Sequence, residues 1–409
     1  MRIVELSEKD FVNFTSGSPL KNYYQTPNYA KVMSDKGYTY DYIGYWNNSN
    51  NLVGASLILK KKIGTFAKFV YAPKGILVDY YDTELLKMFI KDLCSYYKKR
   101  GFSFLKINPE VIIGEVSKDN NYKVTYNQNV EIIDVLKNAG FKRRRELYPH
   151  DFLSPRINTF IDLKNFELSS EVERLLGTGE DNGLSIEIVS NNDLDILYEF
   201  TKDSTSESAS FYKSILNHFN NDMSQVLLVK VNYEQYLINA RERYENELEN
   251  NNYYNELIQH DGSDEVVLGK MQSDKDLLRY KDEVVVATAG LKQNKFKYIG
   301  GALIVKYENR VSIALEGFEN DDILPKYFLY NYIINTYKDS FEFLDLNGLA
   351  SSFDSNSKYE DFNKPKLDFN PLIYEFIGEF DIVLNELLFK KIQSQCLLSK
   401  EFLPSHKFE

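Results

Sequence analysis

Residues 83–107 are TELLKMFIKDLCSYYKKRGFSFLKI, a stretch that combines one helix pattern with one strand pattern. Within Thr83–Arg100, apolar side chains recur at intervals of three and four residues, which predicts an amphipathic helix. Gly101 follows, and glycine is typical of the position after a helix. Phe104–Ile107 then predicts a short buried strand. A helix followed directly by a buried strand indicates a mixed α/β fold.

Further elements of the same kind lie on both sides of this stretch. Before it, strand patterns occur at Tyr40–Tyr45, Val53–Lys60 and Phe66–Ala72. A similar order returns in the second half of the chain, with strands predicted at Leu184–Val189, Gln225–Val231, Tyr298–Val305, Val311–Leu315 and Phe343–Leu346 and a helix at Lys326–Tyr337. The repeated order of elements predicts two successive α/β units that arose by internal duplication.

A polar segment interrupts the second unit. Asn232–Leu257 is charged and heptad-like, and it includes ARERYENELENNN; a linker with Gly262 follows, and then a second charged helical pattern over Val266–Val286. Two long polar helices joined by a short loop are typical of an antiparallel helical hairpin. The sequence leaves open whether residues 232–286 form a binding arm or a solvated hairpin without a partner.

Composition restricts the class of protein. The chain has 409 residues, 43% of them apolar, so it is long enough for two or three globular domains. Its net charge of −11 argues against a generally basic nucleic-acid binder, although a local basic cleft is compatible with it. The four histidines and two cysteines have no metal-binding spacing, so no metal site and a reducing compartment are expected. Neither a signal peptide nor a membrane span is predicted.

Six segments, in order, are similar to motifs of one family. They are YYQTPNYAKVMSDKGY (23–38), FVYAPKGILVDYYDTELL (69–86), LKINPEV (105–111), SPRINTFIDLKNF (154–166), FLDLNGL (343–349) and KPKLDFNPLIYEFIGEFDIVLN (364–385). Together they resemble the FemABX family of peptidoglycan aminoacyltransferases. There are departures, because Tyr29 stands where the family has Trp, Met33 where it has Lys, and Asn108 where Asp is common.

The resemblance implies an α/β (α+β) fold of two tandem GNAT-like domains. The first is residues 1–155, completed by 380–409; the second is residues 156–379, interrupted by the hairpin arm at 232–286. It also implies a cytoplasmic enzyme, acting at the inner face of the membrane or free of it. The donor would be aminoacyl-tRNA, and the acceptor a stem-peptide amine of a lipid-linked or UDP-linked peptidoglycan precursor. No cofactor is expected, and the oligomeric state stays open.

The implied chemistry is aminolysis of an ester. Because the ester of the donor is already activated, the enzyme mainly has to orient the amine and stabilise a tetrahedral oxyanion. No nucleophilic triad is required, and none is apparent in the sequence. A GNAT enzyme that uses acyl-CoA needs a glycine-rich turn at a helix N-terminus for the pyrophosphate, and the sequence has none where that turn is expected.

Lysines are the first candidate site residues. The resemblance places Lys366 at the Lys of the family's F-K-x-x-F motif, where a cation suits the tRNA 3′ end or the oxyanion. Lys31 and Lys36 flank Met33, at the place where the family's Lys contacts the precursor; Lys36 shares the helical face of Met33 if the helix continues. For all three, an ordinary exposed lysine is the alternative.

Three other residues are candidates for binding substrate. Arg156, at a strand start, is suited to a bidentate pair with a carboxylate or phosphate, with a structural ion pair as the alternative. Asp345 and Asn347 lie at a strand end beside Gly348, where a backbone can approach a ligand or simply turn. The basic run Lys142–Arg145 would meet RNA or an anionic head group, or form a solvated loop.

One departure from the family leaves the function open. Between Leu163 and Ile186 the family carries a basic helix, whereas here Arg174 is the only cation after Lys164, and Glu180 and Asp181 stand where lysines are usual. Acidic residues repel phosphate. The alternatives to an aminoacyltransferase are therefore a catalytically reduced Fem-like scaffold protein of cell-wall synthesis, and a GNAT acyltransferase that uses acyl-CoA.

Overall fold

The computed structural model describes residues 1–144, 155–319, 323–350, 353 and 359–394. Arg145, Ser154, Cys396 and the end of the predicted segment 380–409 lie outside these ranges. Among the described helices, none combines the length and the apolar character that crossing a bilayer requires.

The strands are numbered in chain order. They are β1 (Arg2–Glu5), β2 (Thr39–Trp46), β3 (Leu52–Ile63), β4 (Ala67–Ala72), β5 (Leu77–Val78), β6 (Phe104–Ile107), β7 (Ile112–Val116), β8 (Val124–Tyr126), β9 (Lys142–Arg143), β10 (Ile157–Asp162), β11 (Leu184–Val189), β12 (Ser224–Asn232), β13 (Phe296–Tyr307), β14 (Arg310–Phe318), β15 (Phe343–Gly348), β16 (Leu372–Phe376) and β17 (Phe380–Val383).

The helices are numbered in the same way. They are α1 (Glu8–Ser16), α2 (Pro27–Asp35), α3 (Thr83–Lys99), α4 (Glu131–Asn138), α5 (Ser170–Asp181), α6 (Leu194–Glu199), α7 (Ala209–Met223), α8 (Tyr233–Leu257), α9 (Asp264–Gln293), α10 (Leu324–Tyr337), α11 (Glu360–Leu367) and α12 (Glu386–Ser394). α3 begins where the sequence predicted, because the side chain of Asp82 accepts a hydrogen bond from the Leu85 amide and caps the first turn.

The strands form two sheets of matching topology. The first sheet has the order β1-β2-β3-β4-β6-β17-β9, with β5 beside β3, and the second has the order β11-β12-β13-β14-β15-β10-β16-β7-β8. Each sheet contains one parallel pair, β4 with β6 and β14 with β15. α3 precedes β6 and α10 precedes β15, as crossovers between parallel strands require. The fold is therefore mixed α/β, and the pairing pattern of β1, β2, β3, β4 and β6 is repeated by β11, β12, β13, β14 and β15.

Each sheet is completed by strands from a distant part of the chain. β17 pairs with β6 in the first sheet, whereas β7 and β8 extend the second sheet through β16. After β17, the ring of Phe389 on α12 packs against the ring of Phe104 on β6, with centroids 5.8 Å apart. The sequence patterns missed β7 and β8, because strand pairing between distant segments leaves no local signal. The boundaries 1–155 and 156–379 stay a prediction.

α8 and α9 lie in sequence between the neighbouring antiparallel strands β12 and β13 and pack against each other. Arg243 Nη2 lies 2.6 Å from Glu283 Oε2, and Asn251 Nδ2 lies 3.1 Å from Ser273 Oγ. The two helices are therefore antiparallel, since later residues of α8 meet earlier residues of α9. α9 ends at Gln293, beyond the predicted end at Val286.

The apolar core continues from one sheet to the other. One cluster of buried residues includes Tyr29 and Met33 of α2 together with Tyr212 and Phe219 of α7. The ring of Tyr23, just before α2, meets the ring of Phe219 edge-on at 5.8 Å. Burying such a side chain contributes roughly 1.5–3 kcal/mol, so this contact holds the two halves side by side.

Candidate active-site cleft

A cleft of about 980 Å³ opens where the two sheets meet. Its walls come from β5 and the loop after α1 on one side, and from β10, β15 and β16 on the other. A second cavity of about 90 Å³ adjoins it. Lys21, Glu110 and Arg310 line both cavities, so the charged groups lie where the cavities join.

Three ionisable side chains from three elements meet at this junction, and we refer to Arg310, Glu110 and Asp345 as the cleft cluster. Arg310 begins β14, and its Nη1 lies 3.0 Å from Oε1 of Glu110 and 3.8 Å from Oδ2 of Asp345. Its guanidinium also lies over the ring of Phe160, 5.1 Å from the centroid. The parallel pairing of β14 and β15 sets Arg310 near Asp345, and the segment after β6 brings Glu110 to them.

The two carboxyl groups of the cleft cluster differ in proton affinity. Burial acts to raise the pKa of Glu110, but Arg310 and Lys74 together hold it below its ordinary value. Burial raises the pKa of Asp345, and Arg310 opposes that effect without cancelling it. Environments that push neighbouring pKa values apart are typical of sites that transfer protons. Glu110 is thus the fixed anion, and Asp345 is the group with the greater tendency to accept a proton.

Asp345 and Asn347 form a tight turn at the end of β15, and both line the smaller cavity. The Asn347 amide donates a hydrogen bond of 2.8 Å to Oδ1 of Asp345. Asn347 has a φ of 64°, in the left-handed region that asparagine tolerates better than most residues. The two residues predicted here are therefore brought together at the cleft, although their role as substrate-binding residues stays a prediction.

Lys366 is buried, so it is not the ordinary exposed lysine that the sequence left open as the alternative. It lies on α11, and its side chain is 3% exposed. Its Nζ donates hydrogen bonds to the backbone oxygens of Leu346 at 2.7 Å and Gly348 at 3.1 Å. It also lies 3.4 Å from Oε1 of Glu316. Because Leu346 and Gly348 flank Asn347, this ammonium fixes the turn that carries Asp345. Its predicted catalytic role stays a prediction.

Comparison with known proteins identifies the family of this chain. The sequence model of the FemAB family matches residues 6–395. This chain belongs to the FemAB family. It is 24% identical over 420 aligned residues to "Aminoacyltransferase FemA" of Staphylococcus aureus strain MW2, with 94% of this chain and 96% of FemA covered. FemA of strain N315 matches over the same shares at the same identity.

A solved structure has the same overall fold. The crystal structure of FemX superimposes with a TM-score of 0.69 at 17% sequence identity, covering 96% of this chain and 100% of the FemX chain. At that identity the likeness concerns the fold alone. Because the superposition covers 96% of this chain, it includes strands of both sheets.

Lys31 and Lys36 lie away from the cleft cluster. Lys31 is exposed on α2. The helix ends at Asp35, so Lys36 does not continue the face of the buried Met33 as predicted. Instead, Lys36 forms an ion pair with Glu207, and its Nζ lies 5.1 Å from the centroid of the Phe211 ring. In this FemAB chain, Glu207 thus neutralises the lysine that would otherwise be available to a phosphate.

Arg156 and the basic run also have protein partners. Arg156 Nε lies 3.1 Å from Oε1 of Glu375, which matches the structural alternative for this residue. Within the run Lys142–Arg145, Arg143 and Arg144 are buried, so this part is not the solvated loop expected from the sequence. Arg144 Nη1 lies 3.3 Å from Oε2 of Glu379.

The acidic segment after Leu163 contains α5. Arg174, its only cation after Lys164, pairs with Glu171 at 3.0 Å on the surface of the same helix. Arg174 is the one cation of α5, and it is already paired with Glu171. This helix therefore lacks the free positive charges that the family pattern would offer to a phosphate.

Sequence reasoning did not single out Arg310, Glu110, Lys74 or Lys21. Two of them had a signal, because Glu110 and Lys74 stand inside the motif segments LKINPEV and FVYAPKG. Arg310 follows the tight turn between β13 and β14 and carries no local signal. Only the pairing of β14 with β15 brings its guanidinium to within 3.8 Å of Asp345.

Proposed function

We propose that this FemAB-family chain is an aminoacyltransferase that forms interpeptide bridges. It moves an amino acid from aminoacyl-tRNA to the stem-peptide amine of a peptidoglycan precursor. The full-length similarity to aminoacyltransferase FemA supports this assignment. The observation that carries it is the cleft cluster, in which Arg310 and Glu110 line the large cleft and Asp345, whose pKa burial raises, lies beside them in the adjoining cavity.

The cleft cluster suits aminolysis of an ester. The acceptor amine arrives as an ammonium and has to lose a proton before its nitrogen attacks the ester carbonyl. Asp345 takes that proton, because a base with a raised pKa is better matched to an amine than an ordinary carboxylate. The C–N bond forms, the C–O bond to the tRNA ribose breaks, Asp345 passes the proton it took to the leaving ribose oxygen, and a second proton of the amine passes to water.

The other groups hold Asp345 in place. Arg310 and Glu110 neutralise each other at 3.0 Å, which leaves Asp345 at a longer distance from the guanidinium and available to a ligand. Lys366 acts as a positioning residue, through the Leu346 and Gly348 carbonyls on either side of Asn347. Lys74 supplies positive charge for the 3′ end of the donor or for the precursor's phosphate, whereas Lys21 is paired with Glu308 at 3.0 Å.

The finer features belong to the same proposal. The two sheets are two GNAT-like domains, completed in the first case by residues 380–409; the pairing of β17 (Phe380–Val383) with β6 supports this for the described part of that segment. α8 and α9 are an arm inserted into the second domain. The enzyme works in the cytoplasm, on a lipid-linked or UDP-linked precursor, with contact to the inner face of the membrane when the acceptor is lipid-linked.

A specific observation favours a second candidate, a Fem-like binding protein without transfer activity. The ion pair of Lys36 with Glu207 and the acidic α5 remove cations that would face a phosphate. Such a protein would bind the precursor and leave aminoacyl-tRNA unconsumed.

The test is a transfer assay with charged tRNA and muropeptide acceptors. Wild-type protein is expected to form labelled muropeptide, and Asp345→Asn to slow transfer by about a hundredfold or more, because general-base catalysis typically contributes that much. Asp339→Asn is the matched control, since Asp339 is exposed just before β15. An unchanged rate in Asp345→Asn would refute the assigned base. Precursor binding by wild type without transfer would support the second candidate.

A further inference from the structure

Three buried asparagine oxygens that accept no hydrogen bond from the protein lie at the two cavities. In the part of the chain that the structure describes, the asparagines with such an oxygen are Asn22, Asn129 and Asn158. Asn22 and Asn158 line the smaller cavity, and Asn129 lines the large cleft. A buried polar group without a partner costs free energy, so folded proteins retain few of them. Their shared location at the cavities indicates that their donors belong to bound ligands.

The backbone fixes the orientation of both amides at the smaller cavity. Asn22 Nδ2 donates to the carbonyl oxygens of Leu20 at 2.9 Å and Lys74 at 3.4 Å. Asn158 Nδ2 donates to the carbonyl oxygen of Pro155 at 3.3 Å. Because a carbonyl oxygen can only accept, the nitrogen of each amide has to face these groups. The oxygen of each amide is the atom left for a ligand, and only a donor can satisfy it.

The charges around the smaller cavity leave one carboxylate accessible. Two of the cations that line it are neutralised by their own carboxylates at 3.0 Å, Lys21 by Glu308 and Arg310 by Glu110. A third, Lys74, has its ammonium 5.5 Å from the centroid of the Phe376 ring, which lines the large cleft. The side chain of Asp345 is 18% exposed, and it lies 3.8 Å from Arg310. The smaller cavity thus combines one accessible carboxylate with two neutral oxygen acceptors.

Size assigns the two cavities to different parts of the substrates. The cleft has a volume of about 980 Å³, whereas the smaller cavity has about 90 Å³, the liquid volume of about three water molecules. A peptide precursor fits the cleft and not the smaller cavity. In the proposed transfer, the ester carbonyl of the donor has to meet the acceptor amine beside Asp345. The group attached to that carbonyl, the α-carbon with its ammonium, is small enough for the smaller cavity.

We propose that Asn22 and Asn158 bind the α-ammonium group of the amino acid carried by the donor. This inference rests on the proposed function, because it names a subsite for one of its two substrates. An ammonium group has three N–H donors and no acceptor, so it matches two amide oxygens that lack donors. The nearby carboxylate of Asp345 favours a cation here. Because the neutral oxygens hold the ammonium, Asp345 stays available for the proton of the acceptor amine.

A subsite of this kind discriminates between donors by their α-substituent. A hydroxyl group supplies one donor where the ammonium supplies three, so an α-hydroxyacyl ester leaves at least one of the two amide oxygens without a donor. Sites that are built to hydrogen-bond a ligand group reject an analogue that lacks the group, because their buried polar atoms stay unpaired. We therefore expect aminoacyl-tRNA to be preferred over hydroxyacyl-tRNA although both carry the same reactive ester.

The experiment measures this preference in the transfer assay with muropeptide acceptors. Each aminoacyl-tRNA that supports transfer is compared with the hydroxyacyl-tRNA made from it by deamination with nitrous acid. Wild-type protein is expected to favour the aminoacyl donor by about a hundredfold or more in kcat/KM. Asn22→Leu and Asn158→Leu should each reduce that preference by about tenfold or more, because each removes one acceptor of the ammonium.

The ratio of the two donors separates recognition from folding. A loss of folded protein lowers the rates with both donors equally, so the ratio changes only if recognition of the α-substituent changes. Asn129→Leu is the matched control, because it removes an equivalent oxygen from the large cleft, and it should retain the wild-type ratio.

Each remaining outcome counts against a defined statement. Equal use of the two donors by wild type overturns the subsite and leaves the proposed function intact. An unchanged ratio in Asn22→Leu or in Asn158→Leu does the same, as does an equal loss of preference in Asn129→Leu. Absence of transfer from both donors by wild-type protein overturns the proposed function, and the subsite with it.

Discussion

Two groups of ionised side chains in this molecule use the same chemistry with different access to solvent. The cleft cluster is open, with side-chain exposures of 27% for Arg310, 10% for Glu110 and 18% for Asp345. A second group, the closed cluster of Lys106, Arg144, Glu379 and Asp381, is 0–2% exposed. Ligands can reach the first group only, so charge alone does not mark a site.

The closed cluster joins two distant parts of the chain, Lys106 and Arg144 on one side and Glu379 and Asp381 on the other. Lys106 Nζ lies 3.2 Å from Oε2 of Glu379 and 3.0 Å from Oδ1 of Asp381, and Lys106 and Asp381 are register partners of β6 and β17. With Arg144 it contains two positive and two negative groups. Burial raises the pKa of Asp381, and Lys106 opposes that effect. The cluster therefore specifies where β17 docks.

The largest expected effect is on the closed cluster. Lys106→Met should lower the free energy of unfolding by about 3–5 kcal/mol, because it removes the ammonium beside the buried carboxylate of Asp381 and leaves Glu379 with Arg144. Urea unfolding checks this. Lys87→Met, which removes an exposed pair with Glu84, should cost under about 0.5 kcal/mol. Equal losses in the two variants would show that the closed cluster contributes no more than a surface pair.

A smaller effect is expected at Lys366, which links stability to the cleft. Lys366→Met removes the donor to two backbone carbonyls, and an unsatisfied buried group costs about 1–3 kcal/mol. The turn of Asp345 should then loosen and transfer should slow, by about tenfold to a hundredfold for a misplaced group.

The matched control for Lys366 lies on the same helix. Lys364→Met removes a half-exposed pair with Asp368 and should change neither property by a measurable amount. Rates are compared at concentrations of folded protein fixed by the unfolding curves. Wild-type turnover by folded Lys366→Met would contradict a positioning role.

Local sequence patterns predicted helices and strands, and the strand pairings explain which residues those patterns missed. The helix predicted at Thr83–Arg100 is observed at Thr83–Lys99, because apolar spacing and a capping aspartate are local properties. Local features, a strand end beside Gly348, also led to the prediction of Asp345 and Asn347, and both line the smaller cavity. Arg310 was missed, because its closeness to Asp345 depends on β14 pairing with β15, which no local pattern indicates.

The solvent exposure of a side chain was harder to predict than the helix or strand on which it lies. In KPK, the two lysines look alike in the sequence, yet Lys364 is half-exposed and Lys366 is buried. The difference comes from the carbonyls at the end of β15, which lie about twenty residues earlier and accept from Lys366 alone. A lysine in a polar segment is usually exposed to solvent. That average does not indicate that one particular lysine binds carbonyl oxygens elsewhere in the chain.

The smallest expected effect separates the two carboxyls of the cleft cluster by the sign of their pH dependence. The pKa of Glu110 lies below its ordinary 4.5, so its charge contributes stability above that value, and the contribution is lost as pH falls through the lowered pKa. The pKa of Asp345 lies above its ordinary 3.8, so the folded state favours its protonated form, and stability is lost as pH rises through the raised pKa.

Urea midpoints of Glu110→Gln and Asp345→Asn, each compared with wild type across pH, should therefore move in opposite directions. The deficit of Glu110→Gln is full near neutral pH and shrinks as pH falls below 4.5. Asp345→Asn gains relative to wild type as pH rises above 3.8, because the variant never ionises a buried carboxyl. Titration of all other groups cancels in each difference. Two differences with the same slope would mean that Arg310 stabilises both carboxylates alike, and Asp345 would then lose its distinction as the proton acceptor.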